Sequence, residues 1–266
     1  ADGEHLYLTG QQHENLWIDH TGKLMETIRI GIIGAGSIFR SRHFPGLEKI
    51  EAAEVVAICN RSEESGKAIA EEFNLTSDIM TDPDTLLARN DIDAVMIGTW
   101  PYRHCPFVIA SLDAGKHTFV QARMAMNLTE AKQMYSKAQD SGLVTQICPA
   151  PPWKAGQFLR RLVNEGYCGD IYNVYVNNIG DGLVDPHAPL HWRMIDRYSG
   201  LNALGMGITM ERVHRVVGYF SSITARTGIF TRERPLSDGS GVGPVERPET
   251  VHILGRMENG AEAACL

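Results

Sequence analysis

The stretch from residue 28 to residue 61 constrains the fold more than any other part of the chain. An apolar strand, I-R-I-G-I-I, runs into a turn that contains Gly34 and Gly36, and a helical stretch and a second apolar strand follow. Gly34 permits a tight turn, and Gly36 lets the backbone approach a pyrophosphate at the N-terminus of the next helix. This order of elements predicts a βαβ unit that binds a dinucleotide. We expect the turn and the start of the helix to contact it, through Gly34, Gly36, Ser37 and Ile38.

Two positions depart from the usual form of this motif. Phe39 stands where a third glycine would let the helix pack closely on the strand, so we expect wider packing there. The second strand ends at Asn60-Arg61, where an acidic residue would bind a ribose 2′-hydroxyl. An acid would repel a 2′-phosphate, whereas Asn60, Arg61 and the serine that follows can bond one. The pattern therefore favours NADP over NAD as the cofactor, although both remain open.

Composition narrows the class of protein. The chain has 266 residues, of which 43% are hydrophobic and 21% charged, and its formal net charge is −7. This length accommodates two domains, and the acidic balance predicts neither a nucleic-acid partner nor a membrane partner. No apolar run reaches the ~18 residues that a membrane span needs. The five cysteines are scattered without a C-x-x-C pair, a pattern typical of reduced thiols in a cytoplasmic protein.

The order of apolar and polar segments predicts two domains. Strands and helices alternate over residues 25–148, which predicts a doubly wound parallel Rossmann sheet for the dinucleotide. A proline-rich hinge at 149–152 opens a second domain, 149–266, in which strands predominate and an α+β open sheet is expected. An Asn-Gly turn at 259–260 predicts a hairpin whose second strand stops at the chain end, so this domain is expected to be truncated. We interpret residues 1–24 as an extension or tail and 231–248 as a mobile loop.

Several motifs together resemble the Gfo/Idh/MocA family of glucose–fructose oxidoreductase, inositol dehydrogenase and rhizopine-catabolism proteins. They are I-G-I-I-G-A-G-S-I at 30–38, D-A-V-M-I-G-T-W-P-Y-R-H at 93–104, A-G-K-H at 114–117, E-G-Y-C-G-D-I at 165–171, H-W-R at 191–193 and G-L-N-A-L-G-M-G at 200–207. The resemblance implies a nicotinamide cofactor in the first domain. It also implies a carbohydrate-like substrate, a sugar, cyclitol or similar polyol, at the domain interface, and a homo-oligomer that forms through the C-terminal sheet.

Two departures from the family pattern concern the chemistry. The family usually has Glu-Lys-Pro after the G-K-H strand, where the lysine helps to bind the nicotinamide ribose and polarises the reacting hydroxyl. Here these positions hold Gln121, Ala122 and Arg123, and Thr209 stands where the family has its catalytic histidine. Neither Ala122 nor Thr209 can transfer that proton at neutral pH. Three hypotheses remain: a divergent NAD(P)-dependent oxidoreductase, a non-catalytic nucleotide- or sugar-binding regulator, and a redox-assisted lyase or glycoside-cleaving enzyme.

Three residues are candidates to replace the missing groups. Arg123 is always charged, so it can orient an oxygen or neutralise an alkoxide but cannot act as a base. His191 or Glu211 would move the proton. Each has a plainer alternative, which for Glu211 is an ion pair with Arg215 or another arginine on the same helix.

The remaining candidates come from loops that match ligand-facing family segments. We predict that the glycine turn, Asn60 and Arg61 contact the cofactor. Four further residues are predicted to contact it as well: Thr99, Trp100, His104 and Gln121. We predict these to face the substrate: Tyr102, His187, Trp192 and Arg193. The simplest role of Arg193 is an ion pair with a carboxylate such as Asp196, and that of His104 is a hydrogen bond to backbone. Prolines flank His187, so the His187/His191 pair is not expected to share a helix, and we predict no metal site.

Overall fold

The computed structural model describes residues 27–148 and 154–266, and the backbone of strands β1 (Trp17–Ile18) and β2 (Leu24–Met25), which pair antiparallel. The expected hinge at 149–152 lies outside the described residues, as does most of the expected N-terminal extension. Contacts divide the chain into two units. The first contains residues 1–99, 103–121 and 132–147, and the second contains residues 100–102, 122–131 and 148–266.

The first unit is built on a parallel sheet of six strands in the order β5-β4-β3-β6-β7-β8. The strands are β3 (Ile28–Ile33), β4 (Ala53–Cys59), β5 (Asp78–Met80), β6 (Ala94–Ile97), β7 (His117–Val120) and β8 (Thr145–Ile147). The crossover between β5 and β6 reverses the direction of strand addition. This is the doubly wound Rossmann topology that the alternating pattern predicts.

Helices connect these strands, and their ends follow local sequence rules. A π-helical turn (Phe39–His43) leads into α1 (Phe44–Leu47), and the others are α2 (Glu63–Glu72), α3 (Pro83–Leu87), a 3₁₀ turn (Pro101–Arg103), α4 (His104–Asp113) and α5 (Leu128–Ser141). Ser62 caps α2 by accepting from the Ser65 amide, and Asp82 caps α3 before a proline in its first turn. Buried Ile32, Ile58 and Ile69 pack sheet and helices together.

The second unit is an open, mixed sheet in the order β10-β13-β14-β9, in which only the β14–β9 pair is parallel. Its elements are α6 (Lys154–Asn164), β9 (Asn173–Val176), a 3₁₀ turn (Trp192–Met194), α7 (Asp196–Ser199), α8 (Met206–Val217), β10 (Phe220–Gly228), β11 (Glu233–Pro235), β12 (Val242–Pro244), β13 (Thr250–Met257) and β14 (Glu262–Cys265).

One face of this sheet is covered and the other is open. Val213 of α8 packs on Met257, Ala261 and Ala263, so α8 covers the inner face. The outer face leaves Tyr175 76% and Leu254 64% exposed, and it is the surface on which the sequence predicts oligomer contacts. The predicted Asn-Gly hairpin is confirmed, because β13 and β14 pair antiparallel around Gly260, whose φ is 90°.

The interpretation of residues 231–248 as a mobile loop is wrong. Strands β11 and β12 form an antiparallel hairpin there. Arg234 belongs to β11, and its side chain is fully buried. The Leu190 amide donates to the Pro235 carbonyl at 2.7 Å, so the hairpin also holds the loop before His191. Among the residues described, no helix combines the length and apolar character needed to cross a bilayer, and no cluster of ligating side chains suits a metal.

Candidate cofactor and substrate sites

Gly34 occupies a position that only glycine fits. Its φ is 84°, in the left-handed region, and a Cβ there would lie 2.9 Å from the backbone nitrogen of Thr99. Its amide donates to the Cys59 carbonyl at 2.8 Å, which ties the turn to the end of β4. The turn is therefore fixed by its contacts with two neighbouring strand ends.

Gly36, unlike Gly34, has room for a side chain, because a Cβ there would meet no protein atom within 4 Å. Its carbonyl accepts from the amides of Phe39 and Arg40, so the helical segment begins immediately behind it, and no side chain caps that segment. Ser37 and Ile38 supply the first amides of the segment. A glycine facing open space at an uncapped helix start fits a pyrophosphate, which the N–H groups can bind. The residues present therefore suit a nicotinamide dinucleotide.

Asn60, predicted to contact the ribose, is also engaged within the protein. Its side chain is buried, its Oδ1 accepts from the Ala35 amide at 2.8 Å, and its Nδ2 donates to the Ala35 carbonyl at 3.2 Å. Asn60 thus holds the glycine turn with both ends of its amide. Because Ser62 is engaged as the cap of α2, only exposed Arg61 remains of the three residues predicted to bond a 2′-phosphate.

We therefore expect Arg61 alone to control any preference for the phosphorylated cofactor. The Arg61→Ala variant should bind NADPH about tenfold more weakly, because a charge-assisted hydrogen bond contributes ~1.5–3 kcal/mol, and should bind NADH almost unchanged. Fluorescence titration of both nucleotides measures this. Lys67→Ala, which removes an exposed cation on the neighbouring helix α2, is the matched control. It should leave the ratio of NADPH affinity to NADH affinity unchanged. An equal loss of both nucleotides in Arg61→Ala would contradict the assignment.

The expectation of wider packing at Phe39 missed a compensation on the strand side. The Phe39 ring is fully buried, and a Cβ on Gly98 would lie 2.3 Å from its Cε2 atom. The absent side chain of Gly98 thus makes the room that a third glycine in the turn normally provides. Helix and sheet pack closely with the bulky residue on the helix.

His104 and Gln121 support the strand ends of the first unit. The His104 ring is fully buried and its Nε2 lies 2.8 Å from the Thr99 carbonyl oxygen, which is the backbone hydrogen bond named as its plainer alternative. The backbone amide of Gln121 donates to the Ile97 carbonyl, and its side-chain Oε1 lies 2.7 Å from Nε2 of His43. His43 ends the π-helical turn that follows the glycine turn, and only the fold reveals this partner.

An aromatic cluster forms within the second unit. The Trp100 and Trp192 rings stack with centroids 5.2 Å apart and planes 14° apart. Tyr198 contacts Trp100 edge-on at 4.9 Å and Tyr102 at 5.6 Å. The structure thereby brings together Trp100, Tyr102 and Trp192 from two separate chain segments. It adds Tyr198, whose ring reaches Trp100 and Tyr102 from α7. The sequence does not predict this contact, because the residues are about 100 positions apart in the chain.

Two arginines and a histidine accompany these rings. The Arg193 guanidinium carbon lies 4.5 Å from the centre of the Trp192 ring, and Arg193 Nη1 lies 3.5 Å from His191 Nε2. Partial burial lowers the pKa of His191, and the charges of Arg193 and Arg123 lower it further. Burial and the charge of Arg193 likewise lower the pKa of Arg123. His191 is therefore predominantly neutral at pH 7.

Both ring nitrogens of His191 lie near donors of Arg193. Its Nδ1 accepts from the Arg193 amide at 3.2 Å, and this shorter contact assigns the proton of the neutral ring to Nε2, so the 3.5 Å approach of Arg193 Nη1 to Nε2 is a contact without a hydrogen bond. His191 in this arrangement is a hydrogen-bond donor, and it can accept a proton only by giving up the Nδ1 contact. The predicted ion pair of Arg193 with Asp196 is wrong, because Asp196 pairs with Arg247.

The remaining candidates lie elsewhere. Glu211 forms an ion pair with Arg215 one turn along α8, which is its plainer alternative. With His214 it lines a cleft of about 540 Å³ that contains neither Arg123 nor His191. The exposed His187 donates its amide to Asp185 Oδ1 at 2.8 Å, and Thr209 accepts from the Asn178 side chain at 2.7 Å.

Comparison with known proteins agrees with this geometry. The family model for an oxidoreductase family with an NAD-binding Rossmann fold, GFO_IDH_MocA, matches residues 28–148. A levoglucosan dehydrogenase from Pseudarthrobacter phenanthrenivorans is 27% identical, over 89% of this chain and 66% of that relative. The chain spans between 38% and 66% of the length of three curated relatives that it matches.

Solved structures share the fold. An oxidoreductase domain protein from Kribbella flavida has a TM-score of 0.81 at 25% identity, covering 91% of this chain and 68% of its own. Levoglucosan dehydrogenase in complex with NADH and L-sorbose has a TM-score of 0.75 at 25% identity, covering 90% of this chain and 66% of its own. Residues 28–148 therefore match the Gfo/Idh/MocA oxidoreductase family and have its NAD-binding Rossmann fold.

Proposed function

We propose that this protein is an NAD(P)-dependent oxidoreductase that transfers a hydride between its nicotinamide cofactor and a sugar or polyol-like substrate. The observation that carries the proposal is the group of His191 and Arg193 beside the stacked rings of Trp100 and Trp192, with Arg123 near enough for its charge to lower the pKa of His191. The glycine turn at Gly34 and Gly36 supports the cofactor half, and the name of the levoglucosan dehydrogenase relative supports the substrate half. The cofactor, when bound, supplies or accepts the hydride.

The cluster suits a carbohydrate because it combines flat apolar surface with a few directed polar groups, as small-molecule sites generally do. The aromatic rings offer area to the C–H face of a sugar. Trp100 remains 37% exposed and Tyr102 38% exposed, so part of this surface is open to a ligand.

Arg123 and His191 have complementary roles in this proposal. Reduction of a carbonyl places negative charge on its oxygen, and a fixed guanidinium beside that oxygen stabilises the charge. The Nε2–H of neutral His191 donates to the same oxygen and polarises it, and solvent supplies the proton that converts the alkoxide into the hydroxyl. Partial burial and then the charges of Arg193 and Arg123 lower the pKa of His191, so the ring is neutral at pH 7 and donates without adding a positive charge of its own. Glu211 has no part in it, since its carboxylate is paired with Arg215.

Substitution of His191 tests this role. His191→Ala should lower kcat by about 10²-fold, the effect of removing one donor to a developing oxyanion. His191→Gln keeps an N–H near the Nε2 position and should recover at least tenfold of that loss. Steady-state kinetics with NADH measure both variants. No recovery in His191→Gln would mean that His191 transfers the proton itself, and unchanged kcat in His191→Ala would remove it from the site.

A second candidate function rests on Ala122 and Thr209, which stand where the family has its lysine and histidine. A protein that kept the fold and lost the chemistry would be a nucleotide- and sugar-binding regulator. Titration with NADH and NADPH, followed by a panel of sugars, cyclitols and their keto forms, separates the two. A change at the nicotinamide absorbance band establishes the oxidoreductase. Nucleotide binding without any change across the panel favours the regulator or a redox-assisted lyase.

A further inference from the structure

Positive charge is concentrated where the proposed substrate would bind. Arg123, His191 and Arg193 each have a pKa lowered first by partial burial, and Arg193 also acts electrostatically on the other two. The two arginines carry this charge, because His191 is neutral at pH 7, and Arg193 Nη1 lies 3.5 Å from Nε2 of the neutral ring. Like charges that act on each other in partly buried positions destabilise one another. A ligand of opposite charge would relieve this repulsion.

The acids nearest in the chain are committed to other partners. Asp196 pairs with Arg247, and its amide donates to a Glu246 oxygen at 2.7 Å. Glu249 pairs with the buried Arg234 at 3.1 Å. Within residues 27–148 and 154–266, no ion pair joins Arg193 to a carboxylate. This part of the protein thus presents the guanidinium without a carboxylate of its own.

The guanidinium of Arg193 is also held in a defined position. It stacks on Trp192 at 4.5 Å, and Trp192 stacks in turn on Trp100. A stacked guanidinium keeps its planar fork of N–H donors, and that fork matches the two oxygens of a carboxylate. A lone hydroxyl would use only part of this fork, which makes a carboxylate the better match.

We propose that the substrate of this site carries a carboxylate, so that it is a sugar acid or polyol acid, and that Arg193 binds this carboxylate. Arg123 and His191 then face the oxygen at the reacting carbon. The inference rests on the proposed function for the position of the substrate. It adds that recognition depends on a charge remote from the carbon that is oxidised or reduced.

Matched pairs of ligands test the proposal. With NADH-saturated protein, calorimetry would compare D-glucuronate with D-glucose and D-galacturonate with D-galactose. At least one acid should bind about 10- to 100-fold more tightly than its neutral partner, the ratio expected for a charge-assisted hydrogen-bond pair, and 0.5 M NaCl should reduce the difference. If no acid binds more tightly than its neutral partner, the proposal is overturned.

Variants of Arg193 assign the effect. Arg193→Gln should lose the preference for the acid while binding NADH with unchanged affinity, and Arg193→Lys, which keeps the charge without the fork, should retain part of it. Arg161→Gln is the matched control, because Arg161 also lies over an aromatic ring, 5.3 Å from Phe158, on the exposed surface of α6. Preference that survives in both Arg193 variants would overturn the assignment. Acid preference without turnover would contradict the proposed oxidoreductase and leave this inference standing.

Discussion

Replacing Gly36 with valine should abolish measurable NADH binding without unfolding the protein. The added side chain meets no protein atom within 4 Å at its Cβ, and Gly36 does not have a positive φ, so the backbone accepts it. The same side chain would fill the space through which a pyrophosphate reaches the first amides of the helical segment. We expect affinity for NADH to fall at least 100-fold, about 2.7 kcal/mol, with the melting temperature within ~2 °C of the parent.

Two other glycines provide the comparison. Gly46 lies in α1, and a Cβ there would also meet no protein atom within 4 Å, so Gly46→Ala should leave NADH affinity unchanged and stabilise by about 0.5–1 kcal/mol. Gly34→Ala should instead destabilise the fold, because its φ is 84° and its Cβ would press on the Thr99 backbone. Fluorescence titration and thermal unfolding separate the three effects. NADH affinity within threefold of the parent in Gly36→Val would mean that this turn does not bind the nucleotide.

The features that are predictable from the sequence are those specified by neighbours in the chain. Apolar runs of four to seven residues mark the parallel strands, and the Gly34–Gly36 turn follows the first of them. The Asn-Gly pair before β14 specifies a hairpin because the glycine takes a positive φ there. In each case the conformational preference and the hydrophobic pattern agree within a short window, so no distant contact is needed to decide the structure.

The features that sequence reasoning missed depend on partners distant in the chain. The position of Asn60 at a strand end predicts a ribose contact, and it gives no sign of the hydrogen bonds that Asn60 makes to Ala35, 25 residues earlier. The segment 231–248 is polar and rich in glycine and proline, which is typical of a loop. Its order arises because Arg234 is bonded to a loop about 50 residues earlier. The sequence alone does not show whether an arginine is buried or exposed, so only the fold distinguishes the two cases.

Arg234 connects three segments of the second unit. Its Nη1 donates to the Asp185 carbonyl at 2.6 Å, and its Nη2 donates to the Leu183 carbonyl at 2.8 Å and to Glu249 at 3.1 Å. Glu249 also accepts from the amides of Phe230 and Thr231, at 2.5 and 2.8 Å. The exposed fraction of the Arg234 side chain is 0% and that of Glu249 is 6%. Water therefore cannot solvate either charge unless this part of the protein opens locally.

Arg234→Met should therefore lower the free energy of unfolding by about 3–5 kcal/mol, because it leaves the Glu249 carboxylate buried without its partner. It should also weaken substrate binding, since the loop that Arg234 holds runs directly into His191. Replacing both partners, Arg234→Met with Glu249→Leu, should recover part of the stability, as removal of a whole buried pair often does. Arg226→Met, at an exposed position on β10, is the control and should change stability by less than ~0.5 kcal/mol. Urea unfolding at pH 7 measures all three variants. If Arg234→Met proved as stable as Arg226→Met, the pair would not hold this loop, and the position of His191 would have to depend on its other contacts.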